Sequence, residues 1–265
     1  MSTELELRQD PNPNLVTFEE YYRRRLRLPV RLNFEVQTKL AMFRRLAQKL
    51  PPLPEGASVL DLGFGRGGML FWFPRHCVLG GVDITPTAVE LMRRKARENG
   101  YRAYRFECAN LERDCIPWDD GSVDVVVCSH LIEHVQDDRR LLAEIGRVLK
   151  TGGLLMLMIP INETDRNANP LHLRRYTEES MRELLAAYSF QVIAEDRANT
   201  LYQVFDWLCT RRLPRFLEML RGKGIAVLGA LSLLAPPLWS LPCWGTPRDY
   251  GVLARLELSR RAEGP

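Results

Sequence analysis

The stretch Ser58-Val59-Leu60-Asp61-Leu62-Gly63-Phe64-Gly65-Arg66-Gly67-Gly68 decides how this chain folds. An apolar run of strand length gives way to a turn crowded with glycine. Glycine lets the backbone bend tightly and leaves no Cβ between the turn and a ligand. Gly63, Gly65 and Gly68 satisfy G-x-G-x-x-G, a pattern that does not by itself separate one nucleoside cofactor from another. A second apolar run, Cys77 to Asp83, ends in a carboxylate twenty residues after Gly63. An acid at that place accepts hydrogen bonds from ribose hydroxyls. Together these features predict a nucleoside-containing cofactor at the carboxyl edge of a parallel sheet.

Asp61 narrows the choice. A carboxylate two positions before the first glycine repels a pyrophosphate held in the same turn. It suits a positively charged group, such as the amino-acid end of S-adenosylmethionine (SAM). Capping of the following turn is the structural alternative for this residue.

Outward from this core, short apolar runs alternate with helical patterns. Strands are predicted at 58–63, 77–83, 101–109, 123–129 and 154–160, with helices at 67–73, 86–98, 136–150 and 177–188. Pro86 suits a first helical turn, and Gly152-Gly153 a helix end. Continuously apolar strands separated by helices imply a parallel sheet covered on both faces. Two last strands, FQVIAED and YGVLARLEL, flank an insertion of about fifty residues. The organisation expected is a tail and helical cap over 1–54, a cofactor-binding core over 55–199, an apolar insertion over 200–247, and a last strand over 248–265. Within the cap, Tyr21 and Tyr22 are candidates to fold over the cofactor or to pack on helices.

The chain has 265 residues, 46% hydrophobic and 26% charged, with a formal net charge of +4. That composition excludes wholesale disorder, and so weak a bias makes no case for nucleic acid. The six cysteines form no C-x-x-C pair, so buried reduced thiols in a cytoplasmic chain are expected. The polar amino terminus lacks the apolar run of a secretory signal. No charge occurs from Gly224 to Pro247, but Pro236-Pro237 interrupts the run. The twelve residues before that break give about 18 Å of helix, short of the ~30 Å hydrocarbon core. The insertion is therefore expected to cover a substrate. Its basic, leucine-rich stretch 203–244 also suits peripheral contact with the inner face of a membrane, or a homodimer surface.

Four blocks in order carry a family resemblance: VLDLGFGRGG, GGVDIT, NLERDCIPWDDGSVDVVVCSHLIEHV and EIGRVLKTGGLLMLMIP. Over residues 55–195 the chain resembles the class I SAM-dependent methyltransferases, in the type 11 group that includes ubiquinone-pathway and small-molecule enzymes. The resemblance implies a Rossmann-like α/β fold with seven strands, the last antiparallel. It implies that Asp61, Gly63, Phe64, Gly65 and Gly67 surround the methionine part of SAM. Asp83 would hold the ribose and Ile84 would pack on the adenine. Asn110 and Leu111 would lie at the adenine, with Asn110 replacing the usual acid, and Ser129 would lie beside the methionine.

Methyl transfer needs in-line alignment and exclusion of water, and a base only where the acceptor must lose a proton. His130 and His172 follow the fourth and fifth strands, on the cofactor edge. With Tyr176 they are the catalytic candidates, and a loop-anchoring role is the alternative for His172 and Tyr176. His172 lies in HLRRYT, which resembles a segment of methyltransferases acting on sugars and lipid-linked glycans. A metal at His130, Glu133 and His134 is conceivable from the EHV segment, but a plain helix start without metal is the preferred reading. The expected reaction is methylation of oxygen or nitrogen on a small molecule, with no nucleic-acid partner. A nicotinamide-dependent oxidoreductase and a non-catalytic SAM-binding module are the alternatives.

Overall fold

The computed structural model describes residues 34–163, 171–198 and 247–257. Expectations for 1–33 and for the insertion, Tyr21, Tyr22 and 203–244 included, lie outside the described residues. In chain order the elements are α1 (Phe34–Ala47), β1 (Ser58–Leu62), β2 (Val78–Asp83), α2 (Pro86–Glu98), β3 (Tyr104–Cys108) and β4 (Val123–Ser129). Then follow α3 (Asp138–Val148), β5 (Leu149–Pro160), α4 (Glu178–Ala187), β6 (Phe190–Ala198) and β7 (Asp249–Leu256).

The strands form one seven-stranded sheet in the order β3-β2-β1-β4-β5-β7-β6. The ladders from β3 to β5 are parallel. β7 runs antiparallel to both β5 and β6, as expected for the last strand. Because it is reversed, the start of β7 lies at the edge where the parallel strands end. Pro160 of β5 accordingly faces Asp249.

Alternation along β4 shows why both faces need cover. Val126 and Cys128 join Leu141, Leu142 and Ile145 of α3 and Met181 and Leu185 of α4. Val125 and Val127 point the other way, into a core with Met42, Phe43 and Leu46 of α1 and Val89 and Met92 of α2. Burying both faces leaves no polar position in its middle, hence the apolar run Val125–Cys128 between Asp124 and Ser129. Helix α4 starts with a reciprocal cap, in which Thr177 and Ser180 each accept from the other's backbone N–H.

One predicted element is replaced. Instead of a helix over 67–73, only a single 3₁₀ turn forms, Leu70–Trp72. Gly67 holds a φ of +67°, and Pro74 closes the segment. The residues between them are too few for two α-helical turns.

Candidate active site at the carboxyl edge

Strand order reverses at β1, which lies between β2 and β4. In open α/β sheets the crevice outside the carboxyl ends at such a point takes the ligand. The glycine turn occupies this place, with Gly63, Gly65 and Gly67 at φ of +65°, +51° and +67°. The turn is fitted to its neighbours. A Cβ on Gly67 would stand 1.8 Å from Met92 Sδ, and one on Gly63 would stand 3.0 Å from Leu131 of the loop after β4. Phe64 turns back onto the sheet, edge-on to Phe106 at 5.6 Å. It fills the space above Gly81, where a Cβ would come within 2.5 Å of its ring. The Phe64 side chain is thus a wedge beneath the turn, which leaves its backbone for any cofactor contact.

Asp61, one residue before the end of β1, and Asp83, which ends β2, are almost fully buried, at 3% and 5% exposure. Asp83 Oδ2 accepts from Gly65 N–H at 2.8 Å, and its Oδ1 accepts from the Thr85 amide and hydroxyl at 2.9 and 2.7 Å. Asp61 makes no side-chain hydrogen bond of this kind among the described residues. Burial, and then the charge of Asp83, push its pKa well above the usual carboxylate range. A buried acid in that condition suits a cation.

Asn110 is buried, and its Oδ1 accepts from Glu112 N–H at 3.1 Å. An amide oxygen has two acceptor sites, so capacity for a second bond remains. The Leu111 carbonyl accepts from Arg140 at 3.2 Å, which fixes the loop after β3. Ile84, beyond β2, and Ser129, at the end of β4, are half-buried on the same edge.

His130 follows with a φ of +52°, a left-handed conformation that a non-glycine residue adopts at a cost. Its amide donates to the Met158 carbonyl at 2.8 Å. Its ring lies between two buried acids, with Nδ1 3.3 Å from Glu133 Oε1 and Nε2 3.5 Å from Asp249 Oδ1. Neither contact is aligned as a hydrogen bond. His130 Nε2 and both Glu133 oxygens are buried with no hydrogen-bond partner among the described residues. The sequence reading missed Asp249. The signal was an acid at the head of a strand expected to run antiparallel, whose start must reach this edge.

His172 comes from the loop before α4 and donates through Nδ1 to both Glu163 oxygens at 2.8 Å. Its ring packs edge-on to His134 at 4.9 Å. Tyr176 is buried, and its hydroxyl donates to Asp138 Oδ2 at 2.9 Å. Burial and Asp138 both raise its pKa. This bond makes Tyr176 an anchor of the loop onto α3. Trp118 and Asp124 are also structural, Trp118 covering Gly80 and Asp124 accepting from Ser58 N–H at 2.8 Å.

The donor set fits SAM. A glycine-rich turn, the buried acid Asp61 and a second acid at the neighbouring strand end match a backbone-held ligand with an ammonium and a ribose.

Residues 60–157 match the methyltransferase domain family. The chain is 31% identical over 150 residues to the uncharacterized methyltransferase YcgJ of Bacillus subtilis, covering 51% of this chain and 56% of that one. It is 32% identical over 106 residues to the thiol S-methyltransferase TMT1B of Rattus norvegicus, covering 40% and 43%. The chain thus spans about half the length of the curated relatives it matches. The fold is similar to that of geranyl diphosphate methyltransferase in complex with SAM, with a TM-score of 0.59 at 19% identity over 82% of this chain and 85% of that one. Residues 60–157 thus resemble the methyltransferase domain family, and they lie on a seven-stranded sheet whose fold is shared with solved SAM-dependent methyltransferases.

Proposed function

We propose that the protein transfers a methyl group from SAM to an oxygen or nitrogen of a small molecule. The observation that carries this reading is the buried Asp61 carboxylate, its pKa raised by burial and Asp83, beside a turn with glycine at positions 63, 65 and 67. SAM supplies an electrophilic methyl that needs no further activation. The protein's part is to bind, orient and exclude water. Gly63, Gly65 and Gly67 let the backbone approach the methionine part. Asp61 takes the ammonium, Asp83 the ribose, and Asn110 and Ile84 the adenine.

His130 is assigned as the base. Its Nε2 accepts the proton of a hydroxyl or ammonium acceptor, and Asp249 beside it steadies the resulting charge. His172 is assigned to the acceptor side. The Tyr176 hydroxyl, held by Asp138, receives no part in the reaction. A relative named for thiol methylation adds sulfur as a third class of acceptor atom to be tested. A sugar, a lipid-linked compound or a hydrophobic product is the substrate class favoured by the HLRRYT segment and by the apolar sequence of 203–244. That basic, apolar sequence also supports peripheral contact with the inner face of a membrane. No described helix is long and apolar enough to cross one.

The test is methyl transfer from radiolabelled SAM to a panel of alcohols, phenols, amines and thiols. Labelling of an oxygen or nitrogen acceptor, reduced at least tenfold in His130→Gln with SAM binding retained, is the expected result. SAM binding without labelling of any acceptor would favour a non-catalytic module instead.

A further inference from the structure

Glu133 presents an unsolved problem of charge. It sits in the short turn Ile132–His134 with no exposed surface, and neither carboxylate oxygen has a hydrogen bond among the described residues. A buried ion left in this state is costly unless a cation meets it. Its own neighbourhood supplies two more donors. One ligand atom each from Glu133, His134 and His172 lie within 4.8 Å of one another.

The two imidazoles are already oriented from behind. His134 Nδ1 lies 2.9 Å from the Leu171 carbonyl, and His172 Nδ1 lies 2.8 Å from the Glu163 carboxylate. Both partners only accept, so each Nδ1 carries the proton. In the neutral ring, each Nε2 then carries the lone pair. A carbonyl or carboxylate behind the imidazole is the usual support of a metal-binding histidine. The two segments are fastened together, because Leu173 N–H donates to the Glu133 carbonyl at 2.8 Å. Arg174 donates to the carbonyls of Val135 and Gln136. Such fastening holds the donors in place before any ion arrives.

We propose that Glu133, His134 and His172 bind a divalent transition-metal ion of the zinc, cobalt(II) or iron(II) class. Two nitrogens and one carboxylate suit these ions, whereas magnesium prefers a shell of oxygens. Bonds of about 2.1 Å at tetrahedral angles place two ligands about 3.4 Å apart. The present span of up to 4.8 Å therefore closes by about 1–1.5 Å of side-chain movement on binding. His130 stays outside the set, held between Glu133 and Asp249. This differs from the site weighed from sequence, where three neighbouring residues of one turn were the donors and no metal was preferred. The third ligand comes from a loop nearly forty residues away. Three protein ligands leave a coordination position open. Its use, to hold an acceptor oxygen or nitrogen and acidify it, rests on the methyl-transfer reading. The binding site itself does not.

The experiment uses the full chain without an affinity tag, stripped with a chelator and dialysed against Zn²⁺, Co²⁺ or Mg²⁺ alone. Metal content and cobalt visible absorption are measured, with SAM binding in parallel. The expected result is one equivalent of zinc or cobalt, no retained magnesium, and at least a tenfold loss of affinity in His172→Gln. Glu163→Gln should weaken binding by about 10–100-fold, the usual effect of removing a supporting bond. The exposed His76→Gln should behave as the parent. Glu133→Gln risks misfolding, so His172→Gln and His134→Gln decide. Substoichiometric metal in the parent, or equal retention in both histidine variants, would overturn the site. SAM binding separates this failure from failure of the methyl-transfer reading.

Discussion

The Gly65 amide donates to Asp83 Oδ2 at 2.8 Å, so the acid that ends β2 also closes the turn that follows β1. The same carboxylate holds Thr85 through its other oxygen. Asp83 therefore shapes the cofactor cradle as well as serving it. Asp83→Ala should weaken SAM binding by about 1–3 kcal/mol, the usual cost of losing charged hydrogen bonds. It should also lower the denaturation midpoint before any ligand is added. A variant with full stability and weakened binding would confine Asp83 to ligand contact.

Asp61 predicts a proton released on binding. Its pKa is raised, first by burial and then by Asp83, so part of the free protein carries a protonated Asp61 above the ordinary carboxylate range. An ammonium placed beside it favours the ionised form and lowers that pKa. Calorimetry in buffers of different ionisation enthalpy should show proton release, growing smaller as pH rises above the raised pKa. Asp61→Asn should abolish the release. Proton uptake would contradict this placement of the cofactor's charge.

Two glycines with the same backbone conformation should respond differently to alanine. Gly67 and Gly152 both have positive φ, at +67° and +75°. Gly152 has nothing within 4 Å of an added Cβ, whereas Gly67 meets buried Met92 at 1.8 Å. Gly152→Ala should cost about 1–2 kcal/mol of left-handed strain. Gly67→Ala should cost about 1–3 kcal/mol more from overpacking. Urea denaturation of both checks the ordering.

Acid stability should depend on Glu195. It accepts from Arg182 at 2.5 and 2.9 Å and from the Tyr250 hydroxyl at 2.6 Å. The Arg182 hydrogen bond, reinforced by Tyr250, holds its pKa at about 2, against the opposing effect of burial. A depressed carboxylate pKa stabilises the fold above the ordinary value of about 4.3, and the contribution is lost as pH falls toward the folded value. Glu195→Gln should therefore be less stable than the parent at neutral pH. The gap should narrow between about pH 4 and pH 2. A gap that persists unchanged at the acid end would mean that the loss comes from packing.

The sheet and the cofactor turn were legible because each follows from local pattern. Apolar runs such as Val125–Cys128 announce burial on both faces, and the glycines after Leu62 announce a turn. The absent helix after Gly67 was not legible, because helical spacing carries no information on a backbone held at positive φ. The surroundings of His130 were equally hidden. Asp249 reaches it only because β7 is reversed and inserted between β5 and β6, across a long stretch of chain. Glu133 read as part of a plain helix start because sequence gives no measure of burial for an acid beside a histidine. Only the tertiary structure brings His172 against His134 and leaves Glu133 without a side-chain hydrogen bond among the described residues.

The central claim is that the glycine turn, Asp61 and Asp83 form a SAM site. Titration of the chain with SAM and separately with NAD, followed by calorimetry, tests it most directly. The account predicts one SAM bound per chain, weakened in Asp83→Ala, with no heat from NAD. Saturable binding of NAD with none of SAM would contradict it.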